Sequence, residues 1–270
     1  MKGLNAFQTS AFVVSALLLL LAVIGPVLAP YNPVLPDPIA RLQSPSAAHW
    51  FGTDHLGRDV FSRVLAGARL SVGLAVLVVL ASAGIGLCTG LLAGAGGRWV
   101  DAALMRLTDA FLAFPELIAA LAVAGVLGGG GVEILFALAV VGWMRYARLV
   151  RGMTLTTAAS DHVALARLSR VSPMRIARDH LTPPVVPAMI VMMTAHLARA
   201  ILAISGLGFL GFGASPPTPE WGVIMLEARV YILSAPAYAL LPGVPIVISA
   251  LAFNLAGDAL RDRIGPKEPG

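Results

Sequence analysis

Residues 159–187 read ASDHVALARLSRVSPMRIARDHLTPPVVP, a polar, arginine-bearing block set between long apolar stretches. Arg151 precedes it, and Arg167, Arg170, Arg175 and Arg178 lie within it. The block is too charged to face lipid and too regular for a casual turn. Over 158–169, Ala158, Val163, Ala166 and Leu168 recur among polar neighbours and predict a first amphipathic helix. Ser172 followed by Pro173 is an N-cap with a first-turn proline, restarting a helix that runs to about Leu181, where Thr182-Pro183-Pro184 stops it. Two short helices joined by a bend can seat in the groove of another protein and pass force to the attached segments. A solvated basic loop fits the same composition, and the residues alone leave both readings open.

Outward from the block, the chain is made for lipid. Of its 270 residues 58% are hydrophobic and 12% charged, and a mean hydropathy of +0.85 leaves more apolar surface than a soluble core of this length can hide. The formal charge of +5 does not argue for nucleic acid. The arginines gather at the ends of apolar runs, as in membrane proteins, so the expected environment is lipid with no nucleic-acid partner. Cys88, the sole cysteine, cannot form an internal disulfide and is read as a small packing residue.

A crossing needs roughly 20 apolar residues. Six runs qualify, at about 11–30, 70–95, 107–128, 132–150, 184–211 and 236–257, which predicts an all-α, polytopic membrane protein forming a single domain over 1–270. Lys2 before the first run imitates a signal peptide, but Pro30 after Ala29 disfavours cleavage, so the run is read as an uncleaved helix. Arg145, Arg148, Arg151, Arg167, Arg170, Arg175 and Arg178 oppose only Asp161 and Asp179 in the loop after the fourth span. The positive-inside rule then makes the loop 151–183 cytoplasmic, with both termini on the same side and segments 31–69 and 212–235 periplasmic. Trp50, Trp221 and Tyr231 suit an interface or a buried place equally.

Segment 31–69 begins with the proline-rich YNPVLPDP and continues to a helix through Arg58, Phe61, Arg63 and Leu65, for which Thr53 or Asp54 is the expected cap. His49, Asp54, His55 and Asp59 could be metal ligands, but their spacing suits a capped surface helix better, and no metal site is assigned. Gly86, Gly90 and Gly94 recur every fourth residue, the spacing that lets helix backbones approach in lipid. Gly206 to Gly211 spells G-x-G-x-x-G at the end of a membrane helix, without the strand that a dinucleotide site requires, and is read as a glycine-softened helix end. The only lysines are Lys2 and Lys267, so no Walker A loop exists. Metalloprotease H-E-x-x-H and hydrolase G-x-S-x-G patterns are also missing, and no catalytic residue or cofactor is assigned. His196 and Arg199 lie deep in the fifth span at i, i+3, on a translocation path or in an interhelical contact with Glu116 or Glu133.

These residues together resemble a known family. Asp161, Val163, Ala164, Ala166, Arg167, Ser172, Arg175, Ile176, His180 and Pro183 match the EAA loop of binding-protein-dependent ABC importer permeases. The resemblance to the dipeptide, oligopeptide and nickel branch continues through FGTDHLGRDVFSR at 51–63, DAFLAFPELI at 109–118, YARLVRG at 146–152, GLGFLGFGASPPTPEWG at 206–222 and AFNLAGDALRDRI at 252–264. The short tail and the wording PTPEWGVIMLEAR are most similar to the second permease of nickel importers. In the loop this chain departs from the pattern: Ala164, Leu165 and Ala166 stand for glutamate, alanine and alanine, and Arg170 for the glycine of the turn.

The resemblance implies a non-catalytic subunit of the bacterial inner membrane that pairs with a homologous permease. A periplasmic binding protein would deliver cargo, and two cytoplasmic ATPase subunits would hold the ATP and magnesium. Coupling residues are then Asp161, Val163, Ala164, Ala166, Arg167, Arg170, Ser172, Pro173, Arg175 and Ile176, and the path residues His196 and Arg199. The cargo implied is nickel, with di- and oligopeptides as the alternative. Arg199 repels a bare divalent cation, so nickel would travel chelated. A self-contained ion-coupled secondary transporter is the alternative of another class, but such proteins place carboxylates at mid-membrane and show inverted repeats, neither of which is evident.

Overall fold

A computed structural model describes residues 6–264 and is all-α, the described residues containing no strand and one isolated bridge between Thr53 and Asp59. Lys2, Lys267 and the two chain ends, with their expected side of the membrane, lie outside the described residues. The long helices are α1 (Ala6–Leu28), α2 (Val60–Ala95), α5 (Gly131–Ala158), α8 (Thr182–Leu207) and α11 (Val244–Ile264). Shorter ones are α3 (Arg98–Leu112), α4 (Glu116–Leu127), α6 (Asp161–Leu168), α7 (Pro173–Ile176), α9 (Trp221–Ala228) and α10 (Pro236–Leu240). Four helical runs, 8–28, 60–95, 173–212 and 236–263, are long and apolar enough to cross a membrane, and the bent pair α3 and α4 can count as a fifth. Helix α5 has the length, at 28 residues, but carries Glu133, Arg145, Arg148 and Arg151.

The expected run at 107–128 is not one helix. It breaks at 113–115, and α4 leaves α3 at 90°. Pro115 causes this: it cannot donate to the preceding turn, and its ring pushes Phe114 out of the helical region. Helix α2 begins ten residues earlier than the apolar run. Its cap is Asp59, whose carboxylate accepts from the Ser62 amide at 2.7 Å, and not Thr53 or Asp54. Trp221 is buried and donates through Nε1 to Val64 O at 2.9 Å, whereas Trp50 is exposed. Cys88 is exposed on α2 and lies outside the buried core.

The core lies where α1, α2, α5, α8 and α11 meet, around Val72, Ala75, Val78, Leu138, Ile201, Ile204 and Phe253. In lipid no water drives such packing, so close van der Waals fit has to hold it. The α2–α5 interface supplies the most extensive fit. A Cβ placed at Gly86, Gly90 or Gly94 would collide with Tyr146, Val150 or Thr154, so successive turns of α2 offer glycine where α5 offers a side chain. Gly84, on the same helix, has nothing within 4 Å of that position. Gly90→Leu is expected to lower stability by about 1–3 kcal/mol through overpacking, while Gly84→Ala leaves the thermal midpoint of the detergent-solubilised protein unchanged or raised. Equal effects at the two sites would refute the assignment.

Candidate functional site

Helix α5 does not end near residue 150 but continues to Ala158 and turns at Ala159 and Ser160 into α6. Helix α6 closes with a Schellman motif, in which the Val171 amide donates to Ala166 O at 3.1 Å and the Arg170 amide to Arg167 O at 3.0 Å. This geometry requires a left-handed residue, and Arg170 supplies it with φ 57°. The turn for which the related pattern uses glycine is therefore kept, with an arginine held in a region that costs a residue bearing a Cβ about 1–2 kcal/mol. Val171 folds back onto the apolar side of α6, where Val163, Ile176 and Leu181 are buried with Ala158, Ala166 and Leu91 of α2 around them.

Ser172 and Pro173 start α7 as expected, but Thr182-Pro183-Pro184 does not end the helix. A wide turn at Ala177–Leu181 carries the chain straight into α8, with the Thr182 amide donating to Ala177 O and the Thr182 hydroxyl to the same oxygen at 2.8 Å. The wider turn moves carbonyls away from the proline rings, and the missing N–H groups fall where an α-helix is being restarted. The hairpin thus seats one face on the bundle and presents the other. Leu165, Leu168 and Met174 are 63%, 80% and 79% exposed, among exposed Asp161, Ala164, Arg167, Arg170, Ser172, Pro173 and Arg175. Val163 and Ile176 are buried, so they hold the hairpin and touch nothing outside the chain.

Arg145, Arg148 and Arg151 are not loose loop charges opposed by Asp161 and Asp179. They rise at three-residue intervals along α5 and each meets a carboxylate from the bent arm: Arg145 with Glu116 at 2.8 Å, Arg148 with Asp109 at 2.5 Å, and Arg151 with Asp101 through two guanidinium nitrogens. Asp101 and Asp109 lie on α3 and Glu116 opens α4 just past the bend, so both halves of the arm are tied to α5.

Next to this ladder, His196 and Arg199 part company. His196 is 4% exposed, hydrogen-bonded through Nδ1 to the Tyr146 hydroxyl at 3.0 Å, with Nε2 at 4.0 Å from Glu116. It makes the interhelical contact with Glu116; Glu133 sits at the far end of α5 beside Gly130. Arg199, one turn further along α8, is exposed and forms no ion pair among the described residues. At about 1.5 Å per residue, Arg199 lies roughly 18 Å from Gly211, Arg145 roughly 21 Å from Gly131 and Glu116 roughly 17 Å from Leu127. These charges therefore share one level of the bundle. Tyr146, Glu116 and Arg145 carried no sign in the sequence that they belong together.

The metal cluster considered at the other end of α2 does not converge. Asp54 Oδ2 accepts from Arg58 Nε and Arg63 Nη1, both at 2.6 Å, and Arg63 Nη1 also donates to Glu227 at 2.6 Å. His55 pairs with the Tyr238 hydroxyl, and His49 with Asp59. Asp54, His55 and Glu227 do lie within 4.8 Å of one another, but the two guanidiniums occupy the carboxylates and repel a cation. The glycine-rich stretch ending α8 wraps a buried carboxylate. Glu220 accepts from the Gly222 and Val223 amides at 2.9 and 3.0 Å and from the Ser71 hydroxyl at 3.1 Å. Gly208 and Gly213 crowd it so closely that a Cβ at Gly208 would overlap the carboxylate. Burial pushes the Glu220 carboxyl above its ordinary range, against the pull of the two amides and Ser71.

Residues 86–268 match the family model described as binding-protein-dependent transport system inner membrane component. The chain is 41% identical to the nickel transport system permease protein NikC of Escherichia coli K12, over 95% of this chain and 92% of that protein. It is 37% identical to the dipeptide transport system permease protein DppC of Alkalihalophilus pseudofirmus, over 97% and 86%. The glutathione transport system permease protein GsiD of Escherichia coli O157:H7 is 41% identical, over 98% and 87%. Among solved structures, an inward-facing conformation of the MetNI methionine ABC transporter shares the fold, with a TM-score of 0.60 over 76% of this chain and 97% of that one, at 18% identity.

Relief of the left-handed arginine is measurable. Arg170→Gly is expected to stabilise the turn by about 1 kcal/mol, slowing hydrogen exchange of the Val171 amide roughly fivefold. An unchanged or faster exchange would show that the turn carries no strain.

Proposed function

The chain belongs to the binding-protein-dependent transport system inner membrane components, as a non-catalytic permease subunit of an ABC importer, and from that premise we propose that it moves chelated nickel by alternating access. The topology proposed has six crossings: α1, α2, the bent pair α3 and α4, α5, the α7–α8 run, and the α10–α11 run. Both termini and the α6–α7 hairpin face the cytoplasm of a bacterial inner membrane, with 31–59 and 212–235 on the periplasmic side. Partner chains are a homologous permease, two ATPase subunits that hold ATP and magnesium, and a periplasmic binding protein. Membership of this family sets aside a self-contained ion-coupled transporter.

The observation that carries the coupling reading is the hairpin's two-sided build. Its inner face, Val163, Ile176 and Leu181, is fixed to the bundle, and its outer face offers three large apolar side chains among arginines. An ATPase groove that takes Leu165, Leu168 and Met174 pulls on an element that cannot slide over its own bundle. Displacement passes into α8 through α7, and into α3 and α4 through α5 and the arginine ladder. A rigid-body shift of these helices opens the path to the opposite side.

The path residue in this proposal is Arg199, whereas His196, buried against Tyr146 and Glu116, is held in an interhelical contact. An exposed arginine at mid-bundle faces water or a partner chain and not lipid, because a lone charge in hydrocarbon is costly. It favours cargo with a neutral or anionic outer surface, which a nickel chelate provides and a hydrated Ni2+ ion does not. Peptides remain the second cargo, since relatives named for dipeptide and glutathione transport are 37% and 41% identical.

Leu168→Asp is expected to abolish transport and to release the ATPase subunits on purification, while the thermal midpoint of the permease stays within about 1 °C because the side chain is exposed. Retained, stimulated ATPase activity in that variant would refute the docking surface. In the reconstituted importer, Arg199→Ala is expected to slow uptake of nickel supplied with excess histidine at least about tenfold, a cost near 1.4 kcal/mol. Unchanged uptake would remove Arg199 from the path, and a binding protein that stimulates ATP hydrolysis with dialanine but not with the nickel chelate would replace nickel by peptide.

A further inference from the structure

One large apolar groove takes no part in the coupling hairpin or the path. Of about 890 Å3, it runs between α1 and the first half of α2, with Pro33, Thr218 and Pro219 also on its wall. Leu19, Val23, Leu70, Leu74 and Leu77 line it. Its walls meet where α1 crosses α2 so closely at Gly25 that a Cβ there would overlap the Leu65 carbonyl.

Two residues in the groove are unexplained by packing. Gly73 lies in the interior of α2, where glycine costs about 1 kcal/mol relative to alanine, yet a Cβ there would have nothing within 4 Å. Unlike Gly86, Gly90 and Gly94, it leaves space that no neighbour fills. Arg69, one turn earlier, is exposed and has no ion pair among the described residues.

Their level in the bilayer names the ligand. Helix α2 has 36 residues, roughly 54 Å, so it outreaches a hydrocarbon core about 30 Å thick. Measured from Ala95, Leu77 lies at about 27 Å, Gly73 at about 33 Å and Arg69 at about 39 Å. The groove therefore straddles the edge of the hydrocarbon, with its apolar floor inside and its one cation among the headgroups. We propose that it is a phospholipid site, in which the Arg69 guanidinium donates to the lipid phosphate and an acyl chain lies over Gly73 between α1 and α2. A guanidinium suits a phosphate because its planar fork matches two oxygens. The lipid belongs to the leaflet on the side of segment 31–59, whichever side of the membrane that is. The site rests on the membrane-spanning reading and not on the cargo, and its two deciding residues, Arg69 and Gly73, precede the residues matched by the family model.

The test uses the full chain, purified in mild detergent with the subunits that accompany it, and native mass spectrometry after exchange with phosphatidylglycerol. Wild type and Arg69→Lys are expected to retain one lipid per chain. Arg69→Gln should weaken retention roughly tenfold, the weight of a lost charge-assisted hydrogen bond, and Gly73→Phe, which grows into empty groove, should abolish it. Folding is checked by the thermal midpoint, and cargo-dependent ATP hydrolysis is measured alongside, so that failure of the importer reading shows separately. Equal lipid retention in Gly73→Phe and wild type would overturn the proposal. So would loss of the homologous permease from the Gly73→Phe preparation, which would show that a partner helix occupies the groove.

Discussion

Three arginines on one face of α5 each meet a carboxylate carried by the α3–α4 arm, and the arrangement at the hairpin end of the bundle depends on that pairing. A charge in or near hydrocarbon must be paired or wetted. Glu116, Asp109 and Asp101 pair the charges that Arg145, Arg148 and Arg151 carry along α5, which runs uninterrupted to Ala158. The ladder ties both halves of the bent arm to the stretch of α5 that leads into α6.

At the hairpin, local chemistry and packing divide the work. The Schellman turn and the Ser172-Pro173 restart set the angle between α6 and α7, while Val163, Ile176 and Leu181 fix the pair to the bundle near Leu91. No described residue covers Leu165, Leu168 or Met174, which are 63%, 80% and 79% exposed. An element rigid on one side and apolar on the other is suited to transmitting a push from outside. The opposite end is built to stay still: Asp54, Arg58, Arg63 and Glu227 bind the 31–59 segment to α9, and Glu220 ties the glycine-rich turn to Ser71.

Much of this was legible along the chain. Apolar runs, the four-residue glycine spacing, the helix–break–helix block and the Ser-Pro restart each depend on neighbours within a few residues, and each appears in the fold. Where the reading failed, a local rule lost to a tertiary one. Pro183 and Pro184 lie inside a continuous helix because a wide turn absorbs them. Asp54 turns to Arg58 and Arg63, His55 to the Tyr238 hydroxyl and His49 to Asp59, partners that the spacing of the four residues does not show.

The sequence by itself determined the membrane class and the helix–break–helix block with its Ser172-Pro173 restart, because composition, periodicity and capping are properties of short stretches, whereas the left-handed turn at Arg170 appeared only in the structure. Only the tertiary structure decided which charges are paired. Arg148 finds Asp109 across 39 positions and Arg151 finds Asp101 across 50, while Arg69 and Arg199, equally charged in the sequence, find no carboxylate among the described residues. No local rule separates those arginines. Helix crossings and one bend do, by setting which side chains share a level and a face in a medium that penalises any charge left alone.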